Sequence, residues 1–543
     1  MKNLIKSITR REWLFLIIIS LITVIITAAP YLYGWLTKPP DSTYAGIHHL
    51  TPGDTNVWLS MIEQTKQGHN IFINLYTAEP QHRIYTNPLW LSIGWLAKIF
   101  NLSNLLALNI ARSIWIIIFI VVVYIFLHYL FKNVLKKNIF LLIILFSSGL
   151  GLFFNPFLFD VKNIIEHPTD IWVPESITLL TLYHTPHIIA SLTLVILAFL
   201  LMLLAFDNNK IIYSIFSGLA CLLLFWFHPF NAPTIYLVIG IYILTEFLIS
   251  GKIIWSYIKH YFILIAISLP SIFYLFWMAK TDWVIRNWSA QNILPSPSFW
   301  MYLIGYGFLW ILALIAVIKL FRNFQRKEFF LFIWLITSIF LIYIPLDFQR
   351  RMSEGLHIPL AIFAGLGIFY ILDYFKKQRF QGKKIINNLP ILLVIGSIVF
   401  LPLTNLQILS QDFYLYSTKK TLPYYLTKGQ TESFNWIKNN VLINEIIISS
   451  YYMGNYIPAY TGRIVYIGHG PQTIDLQKKL EIINLFFKNN QNDEEKYDFL
   501  KENNISYLYY SEKEKETGDY QPTGKNYLQE VFNNNEVRIY RVL

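Results

Sequence analysis

A single carboxylate in the first long polar segment is the first candidate for chemistry. Asp54 lies in the stretch TPGDTNVWLSMIEQTKQG, residues 51–68, which follows the first apolar run of the chain. Pro52 and Gly53 precede it and an apolar periodic pattern follows, so Asp54 also fits the N-cap of a helix, a position that aspartate favours. The two interpretations are compatible, because a capping position at a membrane surface also holds a carboxylate within reach of a substrate hydroxyl.

An adjacent pair of arginines, Arg350 and Arg351, forms the second group, in the stretch PLDFQRRMSEGLHIPL, residues 345–360. The guanidinium group is planar and presents a fork of donors that matches phosphate oxygens. The pair therefore predicts a phosphate-binding site. Ion pairs with Asp347 or Glu354, or contact with lipid headgroups, are the structural alternative.

Histidines and acids in three further stretches are candidate substrate contacts. A histidine at a helix start can donate to a phosphoryl oxygen or take a proton. Ordinary polar packing explains these residues at least as well. Glu79, in the loop 69–88, is a candidate second acid. The residues are Glu79, His82 and Arg83 in that loop, Glu175, His184 and His187 in DIWVPESITLLTLYHTPH, and His228 in the turn FWFHPFNAP.

The composition is that of a polytopic membrane protein. Of 543 residues, 55% are hydrophobic and only 14% are charged, which is too apolar for a soluble enzyme of this size. Residues 406–543 hold 15 Lys and Arg against 16 Asp and Glu, a net charge of −1, so residues 1–405 carry +13, against +12 for the whole chain, largely in short loops between apolar runs. This distribution is an insertion signal and argues against nucleic-acid binding.

The apolar runs predict about eleven transmembrane helices. A shorter apolar segment, 88–100, is predicted to lie flat at the interface with Trp90 and Trp95. The predicted spans are 13–34, 107–131, 139–154, 186–206, 211–229, 232–250, 261–279, 299–321, 329–346, 357–375 and 387–405.

The distribution of Lys and Arg predicts a cytoplasmic N-terminus in the cell membrane. With that orientation the inner segments hold 18 Lys and Arg, and the outer loops between spans hold about half as many. All the candidate residues above then lie at the outer face. Residues 1–405 are predicted to form the membrane domain. Residues 406–543, in which short β-rich runs alternate with helical patterns, are predicted to form an extracytoplasmic α/β domain.

These stretches together resemble the GT-C superfamily of integral-membrane glycosyltransferases, in particular bacterial relatives of the protein mannosyltransferase and lipid A aminoarabinose transferase type. The resemblance implies that Asp54 is the general base and that Arg350, Arg351 and His187 bind the donor phosphate. It also implies that Asp54 and the arginine pair line one cavity. The matching stretches are GDTNVWLSMIEQTKQG, NPLWLSIGWLAKIFNLS, VPESITLLTLYHTPH, FHPFNAP, LDFQRRMSEGLHIPLAIFAG and GNYIPAYTGRIVYIGHG.

The expected function is an inverting glycosyltransferase that takes a sugar from a polyprenyl-phosphate-linked donor. The acceptor is expected to be an extracytoplasmic glycan, lipid or protein hydroxyl, with membrane lipid as a further partner. Asp54 stands alone between Gly53 and Thr55, unlike the paired acids of some relatives. No metal cofactor is therefore expected, and a divalent metal ion is the alternative. A flippase for lipid-linked sugars and a structural or sensory membrane protein are the competing classes.

Overall fold

A computed structural model describes residues 1–154, 159–161, 164–377, 396, 400–488 and 492–543. Within these ranges, seven helical segments are long and apolar enough to cross a membrane, or eight if one bent pair counts as a span. The predicted span 387–405 lies largely outside the described residues, and the count of eleven stays a prediction. The seven segments are Arg10–Leu36, Asn104–Leu130, Val134–Phe154, Pro186–Asn208, Pro229–Ser250, Trp255–Thr281 and Gln349–Phe375.

Two of the predicted spans contain a break, so neither is a single continuous helix. Residues 299–321 form two helices, Phe299–Tyr306 and Phe308–Arg322, that meet at an angle of 87°. The bend falls at Gly307, whose φ of +47° is a backbone conformation that favours glycine. The apolar run 139–154 is divided between Val134–Phe146 and Gly151–Phe154 by a turn that begins with Ser147.

Shorter helices complete the chain before its polar tail. Asn87 caps the helix Pro88–Ile99 with its side chain, and proline at the first helical position fits the helix start. That segment was predicted to be a short apolar helix, and it is one; its place at the interface stays a prediction. The other helices are Lys2–Lys6, Asp54–Lys66, Thr169–Trp172, Thr178–His184, Ile211–Phe227, Ala232–Ser250, Trp283–Gln291, Arg326–Leu341, His357–Lys377 and Leu403–Thr418, with 3-10 turns at Pro229–Asn231 and Gln349–Ser353.

The chain divides into two compact units. The first contains Met1–Pro30, Ala111–Tyr274 and Leu294–Asp412. Its helix Pro186–Asn208 is apolar on all sides and almost wholly buried, as expected for a helix surrounded by others. Two further helices approach closely at Gly367, where a side chain would collide with the carbonyl oxygen of Leu312.

The second unit contains Tyr31–Ile110, Leu275–Ile293 and Phe413–Leu543. Its main sheet has the strand order β6-β5-β7-β9-β8, in which β5 pairs in parallel with β6 and β7, while β9 is antiparallel to β7 and β8. The strands are β5 (Ile446–Ile448), β6 (Ile464–Val465), β7 (Ile505–Tyr510), β8 (Leu528–Asn533) and β9 (Arg538–Val542), and the helices are Lys428–Asn440, Tyr451–Thr461, Leu476–Phe487, Asp493–Glu502 and Glu512–Thr517.

The first polar loop and the tail are one folded body. Strand β1 (Ser42–Tyr44) pairs antiparallel with β4 (Tyr425–Thr427), and the amide of Val465 donates to the carbonyl of Leu75. A hairpin of β2 (Phe159–Val161) and β3 (Ile164–Glu166) belongs to the first unit. The predicted boundary between residues 405 and 406 stays a prediction, and the compact unit that holds the tail also holds the loop that carries Asp54.

Candidate functional site

Asp54 is the first residue of the helix Asp54–Lys66, and the N-cap of that helix is Gly53. The N-cap interpretation of Asp54 was therefore wrong. A carboxylate in the first turn still interacts favourably with the positive end of the helix dipole. Its side chain is 45% exposed, so a substrate can reach the carboxylate.

A buried histidine from the tail holds the Asp54 carboxylate. His469 Nε2 lies 3.1 Å from Asp54 Oδ1 and donates to it, while the His469 side chain itself is only 9% exposed. The histidine is fixed in turn, because its amide donates to the hydroxyl of Thr473, which donates to the carbonyl of Tyr76. The histidine is thus a buried residue with a hydrogen-bonded backbone, and it lies beside a half-exposed acid.

Two glycines allow the segment of His469 to lie against the helix Tyr451–Thr461. A side chain at Gly454 would collide with the carbonyl oxygen of Ile467, and one at Gly468 would collide with that of Gly454. Asparagines join the same helix to the Asp54 helix: Asn56 Nδ2 donates to Asn455 Oδ1 at 2.6 Å, and Asn455 Nδ2 donates to the Gly53 carbonyl at 3.4 Å. The position of His469 beside Asp54 therefore follows from backbone packing.

The candidate residues of the loop 69–88 each have a protein partner. Glu79 Oε1 accepts from Lys479 Nζ at 2.6 Å, and the pKa of this lysine is lowered because burial outweighs the attraction of the carboxylate. His82 donates its amide to Asp282 Oδ2 at 2.7 Å. Arg83 donates to the carbonyl of Ile71. These contacts account for the three residues structurally, and their substrate roles stay predictions.

In the first unit the arginine pair is held on aromatic rings. The guanidinium carbon of Arg350 lies 4.7 Å from the ring centre of Trp172, and that of Arg351 lies 4.5 Å from the ring centre of Phe230. Such cation–π contacts orient a guanidinium group and leave its edge for other acceptors. Arg350 Nε is buried and has no hydrogen-bond partner among the described residues, so an anion would satisfy a donor that the protein leaves unpaired.

A polar cluster lies beside Arg351. His228 Nδ1 is 3.3 Å from Glu354 Oε2, and Ser191 donates to Glu354 Oε1 at 2.5 Å. Arg351 is close enough to act electrostatically on both His228 and Glu354, and the ring of His187 lies 5.7 Å from that of His228. Glu354 was one alternative partner of the arginine pair, and it lies in this cluster together with His228.

Glu175 and His184 are buried in the same unit. The charge of Glu175 acts on Glu354, and Glu175 Oε2 has no hydrogen-bond partner in the part of the chain that the structure describes. His184 ends the helix Thr178–His184. The structure thus brings together residues from three distant stretches that sequence analysis named separately.

His469 and the aromatic residues that contact the arginines were not predicted from the sequence. The only signals were the GHG triplet at the end of the tail stretch and the aromatic residues in DIWVP and FHPFN. Asp54 lies in the second unit, and Arg350 and Arg351 lie in the first. The prediction that these residues line one cavity stays a prediction.

Solved structures share this fold at low sequence identity. The oligosaccharyltransferase of Archaeoglobus fulgidus in its apo form has a TM-score of 0.58 at 12% identity, over 91% of this chain and 69% of that one. Its complex with an inhibitory peptide and a dolichol-phosphate has a TM-score of 0.52 at 12% identity, over 90% and 69%. ArnT of Cupriavidus metallidurans bound to undecaprenyl phosphate has a TM-score of 0.51 at 10% identity, over 98% of each chain.

No protein-family model and no curated protein sequence matches the chain. The structural similarity nonetheless confirms the predicted fold class, a polytopic helical membrane protein with a GT-C-like fold. At this level of identity the similarity establishes the fold alone.

Proposed function

We propose that this chain is an inverting glycosyltransferase that moves a sugar from a polyprenyl-phosphate donor to a hydroxyl group of an extracytoplasmic glycan, lipid or protein. The observation that carries the proposal is the pair of Asp54 and His469. A half-exposed carboxylate on a helix start, held by a buried imidazole at 3.1 Å, is the arrangement that a positioned general base requires. The arginine pair, in which the buried Nε of Arg350 has no hydrogen-bond partner among the described residues, supplies the second half of the chemistry.

In the proposed reaction Asp54 removes the proton of the acceptor hydroxyl. The acceptor oxygen then forms a bond to the anomeric carbon while the bond from that carbon to the phosphate oxygen breaks. A positioned general base contributes about a hundred- to ten-thousand-fold to such a step. We propose that the base acts on the face opposite the leaving group, which inverts the configuration of the anomeric carbon, as in inverting glycosidases.

The leaving polyprenyl phosphate takes the electron pair of the broken bond. Arg350 and Arg351 are proposed to neutralise its growing charge, with His187 as a further donor. Guanidinium groups fixed on Trp172 and Phe230 need little reorganisation at the moment of reaction, and such preorganised donors are typically worth about a hundred- to a thousand-fold each. Asp54 then gives up the abstracted proton to the departing phosphate or to water. The products are the glycosylated acceptor and polyprenyl phosphate, which with that proton carries the same single negative charge as the phosphodiester of the donor.

The lipid phosphates in two of the similar solved structures support a polyprenyl phosphate as the carrier of the donor sugar. The charge distribution along the sequence supports a cytoplasmic N-terminus and an extracytoplasmic tail. Among the described residues no three His, Cys, Asp or Glu side chains are grouped to hold a metal ion, and the steps above are assigned to the chain's own side chains. We propose that turnover continues in the presence of a metal chelator.

The class of activity is tested with the purified full chain and short-chain polyprenyl-phosphate sugars. The proposal predicts release of polyprenyl phosphate and a glycosidic product of inverted anomeric configuration, read by proton NMR. In proteoliposomes, movement of intact lipid-linked sugar across the bilayer without cleavage would instead identify a flippase and contradict the proposal.

A further inference from the structure

A cavity of about 330 Å³ lies in the second unit, at the far end of the helix that begins with Asp54. Glu63 lines it, nine residues after Asp54 and therefore about 14 Å along the helix axis. The cavity is thus separate from the Asp54 and His469 pair. Its lining residues include Trp35, Lys38, Leu59, Glu63, Lys66, Asn104, Leu105, Lys438 and Tyr460.

The cavity carries an excess of positive charge. Three lysines line it, and the carboxylate that faces them is already satisfied: Glu63 accepts from Lys438 Nζ at 2.6 Å, from Asn104 Nδ2 at 2.8 Å and from Gln67 Nε2 at 2.8 Å. Burial raises the pKa of Glu63, but these hydrogen bonds outweigh it and hold the pKa below its ordinary value. Glu63 therefore remains ionised and neutralises Lys438.

The two remaining ammonium groups, those of Lys38 and Lys66, have no carboxylate partner in the described part of the chain. Lys66 Nζ donates to the carbonyl of Leu102 at 2.9 Å. Burial lowers the pKa of Lys66 more than the attraction of Glu63 raises it, which means that its charge is poorly solvated. An anion beside it would restore electrostatic stabilisation that burial removes.

The remaining walls are apolar and lie where two candidate spans end. Trp35 precedes the last residue of the segment Arg10–Leu36, and Leu105 is the second residue of Asn104–Leu130. Leu59 and Tyr460 complete the apolar lining. Tryptophan at the end of a span is typical of the membrane interface. The cavity therefore offers ammonium groups to an anion and apolar contact to whatever the anion is attached to.

We infer that this cavity binds the phosphate headgroup of a membrane lipid, with Lys38 and Lys66 at the phosphate and the apolar walls against the beginning of the acyl chains. A volume of about 330 Å³ is at the lower end of the range for small-molecule sites, which fits a headgroup and excludes the whole lipid. The inference goes beyond the proposed glycosyl transfer and does not depend on it, since it concerns binding at a different end of the helix.

The test measures binding to the purified full chain in a neutral detergent at constant ionic strength. The probes are dihexanoyl phosphatidic acid, dihexanoyl phosphatidylcholine and inorganic phosphate. We expect phosphatidic acid to bind more tightly than either of the other two. If inorganic phosphate binds as tightly as phosphatidic acid, the site takes free phosphate and the assignment to a lipid is overturned. If phosphatidylcholine binds as tightly, the role of the ammonium groups is overturned.

Four variants locate the binding. Lys38→Gln and Lys66→Gln are each expected to weaken phosphatidic acid binding about tenfold, the effect of losing one hydrogen bond to a charged group, and Lys38→Arg should restore it. Lys428→Gln, on an exposed lysine of the helix that also carries Lys438, should leave binding unchanged. Unaltered affinity in both Lys38→Gln and Lys66→Gln would overturn the inference.

A fifth variant has the opposite expected sign. Glu63→Gln removes the carboxylate that neutralises Lys438, whose side chain is 37% exposed and stays solvated without its partner. The cavity then carries a third uncompensated ammonium group, and phosphatidic acid is expected to bind several-fold more tightly. A general loss of structure could not tighten binding, so a weaker affinity in a variant that melts at the wild-type temperature would contradict the inference.

Discussion

Replacing His469 tests whether the tail contributes to catalysis through Asp54. His469→Ala removes a hydrogen bond of 3.1 Å to the carboxylate. Hydrogen bonds to charged groups contribute about 1.5–3 kcal/mol, which corresponds to roughly ten- to a hundredfold in rate. Because the Asp54 side chain is 45% exposed, water can replace part of the lost interaction, and we expect a decrease in kcat near the lower limit, about tenfold.

The assay is the release of polyprenyl phosphate at saturating donor and acceptor. His469→Gln places an amide donor close to the position of the imidazole Nε2 and should recover most of the rate. In the Asp54→Asn background, His469→Ala should cost little more, because residues that act as a unit are not additive. If His469→Ala lowers the residual rate of Asp54→Asn as strongly as it lowers the wild-type rate, the two residues act independently and the reasoning is refuted.

Three further predictions concern the phosphate site, the packing beside His469 and the pH dependence of stability. Arg351→Ala should lower kcat/KM about a hundredfold, and Arg351→Lys should have an intermediate effect. The control is Arg286→Ala, at an exposed arginine, which should leave kcat/KM unchanged. An equal loss in Arg286→Ala would contradict the assignment of Arg351 to the donor phosphate. Gly468→Ala should lower the melting temperature and kcat together, because the added methyl group would collide with the carbonyl oxygen of Gly454. Gly470→Ala should be tolerated, because the added methyl group there is 3.9 Å from the hydroxyl of Tyr451. Burial lowers the pKa of Lys496 to about 8, below its ordinary value. Between about pH 8 and 10.5 the unfolded chain therefore binds more protons than the folded chain, and the free energy of unfolding should rise with pH. Lys496→Met should abolish this rise, and a variant with the wild-type pH profile would contradict the prediction.

The membrane fold was predictable from the sequence because its signal is local. A run of about twenty apolar residues specifies a span regardless of its neighbours, and the helices Pro186–Asn208 and Ala232–Ser250 begin and end within two residues of the predicted runs. The bend at Gly307 was not predictable in this way, because the residues on both sides of the glycine are equally apolar. Only the packing of the chain selects the left-handed backbone there.

The candidate site was predictable in part. Residue type and spacing singled out Asp54, Arg350 and Arg351 as candidates, because a carboxylate suits a general base and paired guanidinium groups suit a phosphate, and their catalytic roles stay predictions. His469 is 415 positions from Asp54, and no periodic pattern links them. Their meeting depends on long-range contacts, such as the pairing of β1 with β4 and the close approach at Gly454, which a single sequence does not encode locally.

The most direct measurement of the central claim compares Asp54→Asn with the wild type in single-turnover release of polyprenyl phosphate. The substitution keeps the size and removes the basicity of the side chain, and Asp41→Asn alters an exposed carboxylate of the same loop as a control. The account predicts that Asp54→Asn lowers the rate at least a hundredfold with donor affinity unchanged, while Asp41→Asn matches the wild type. A rate for Asp54→Asn within about threefold of the wild type would contradict the account.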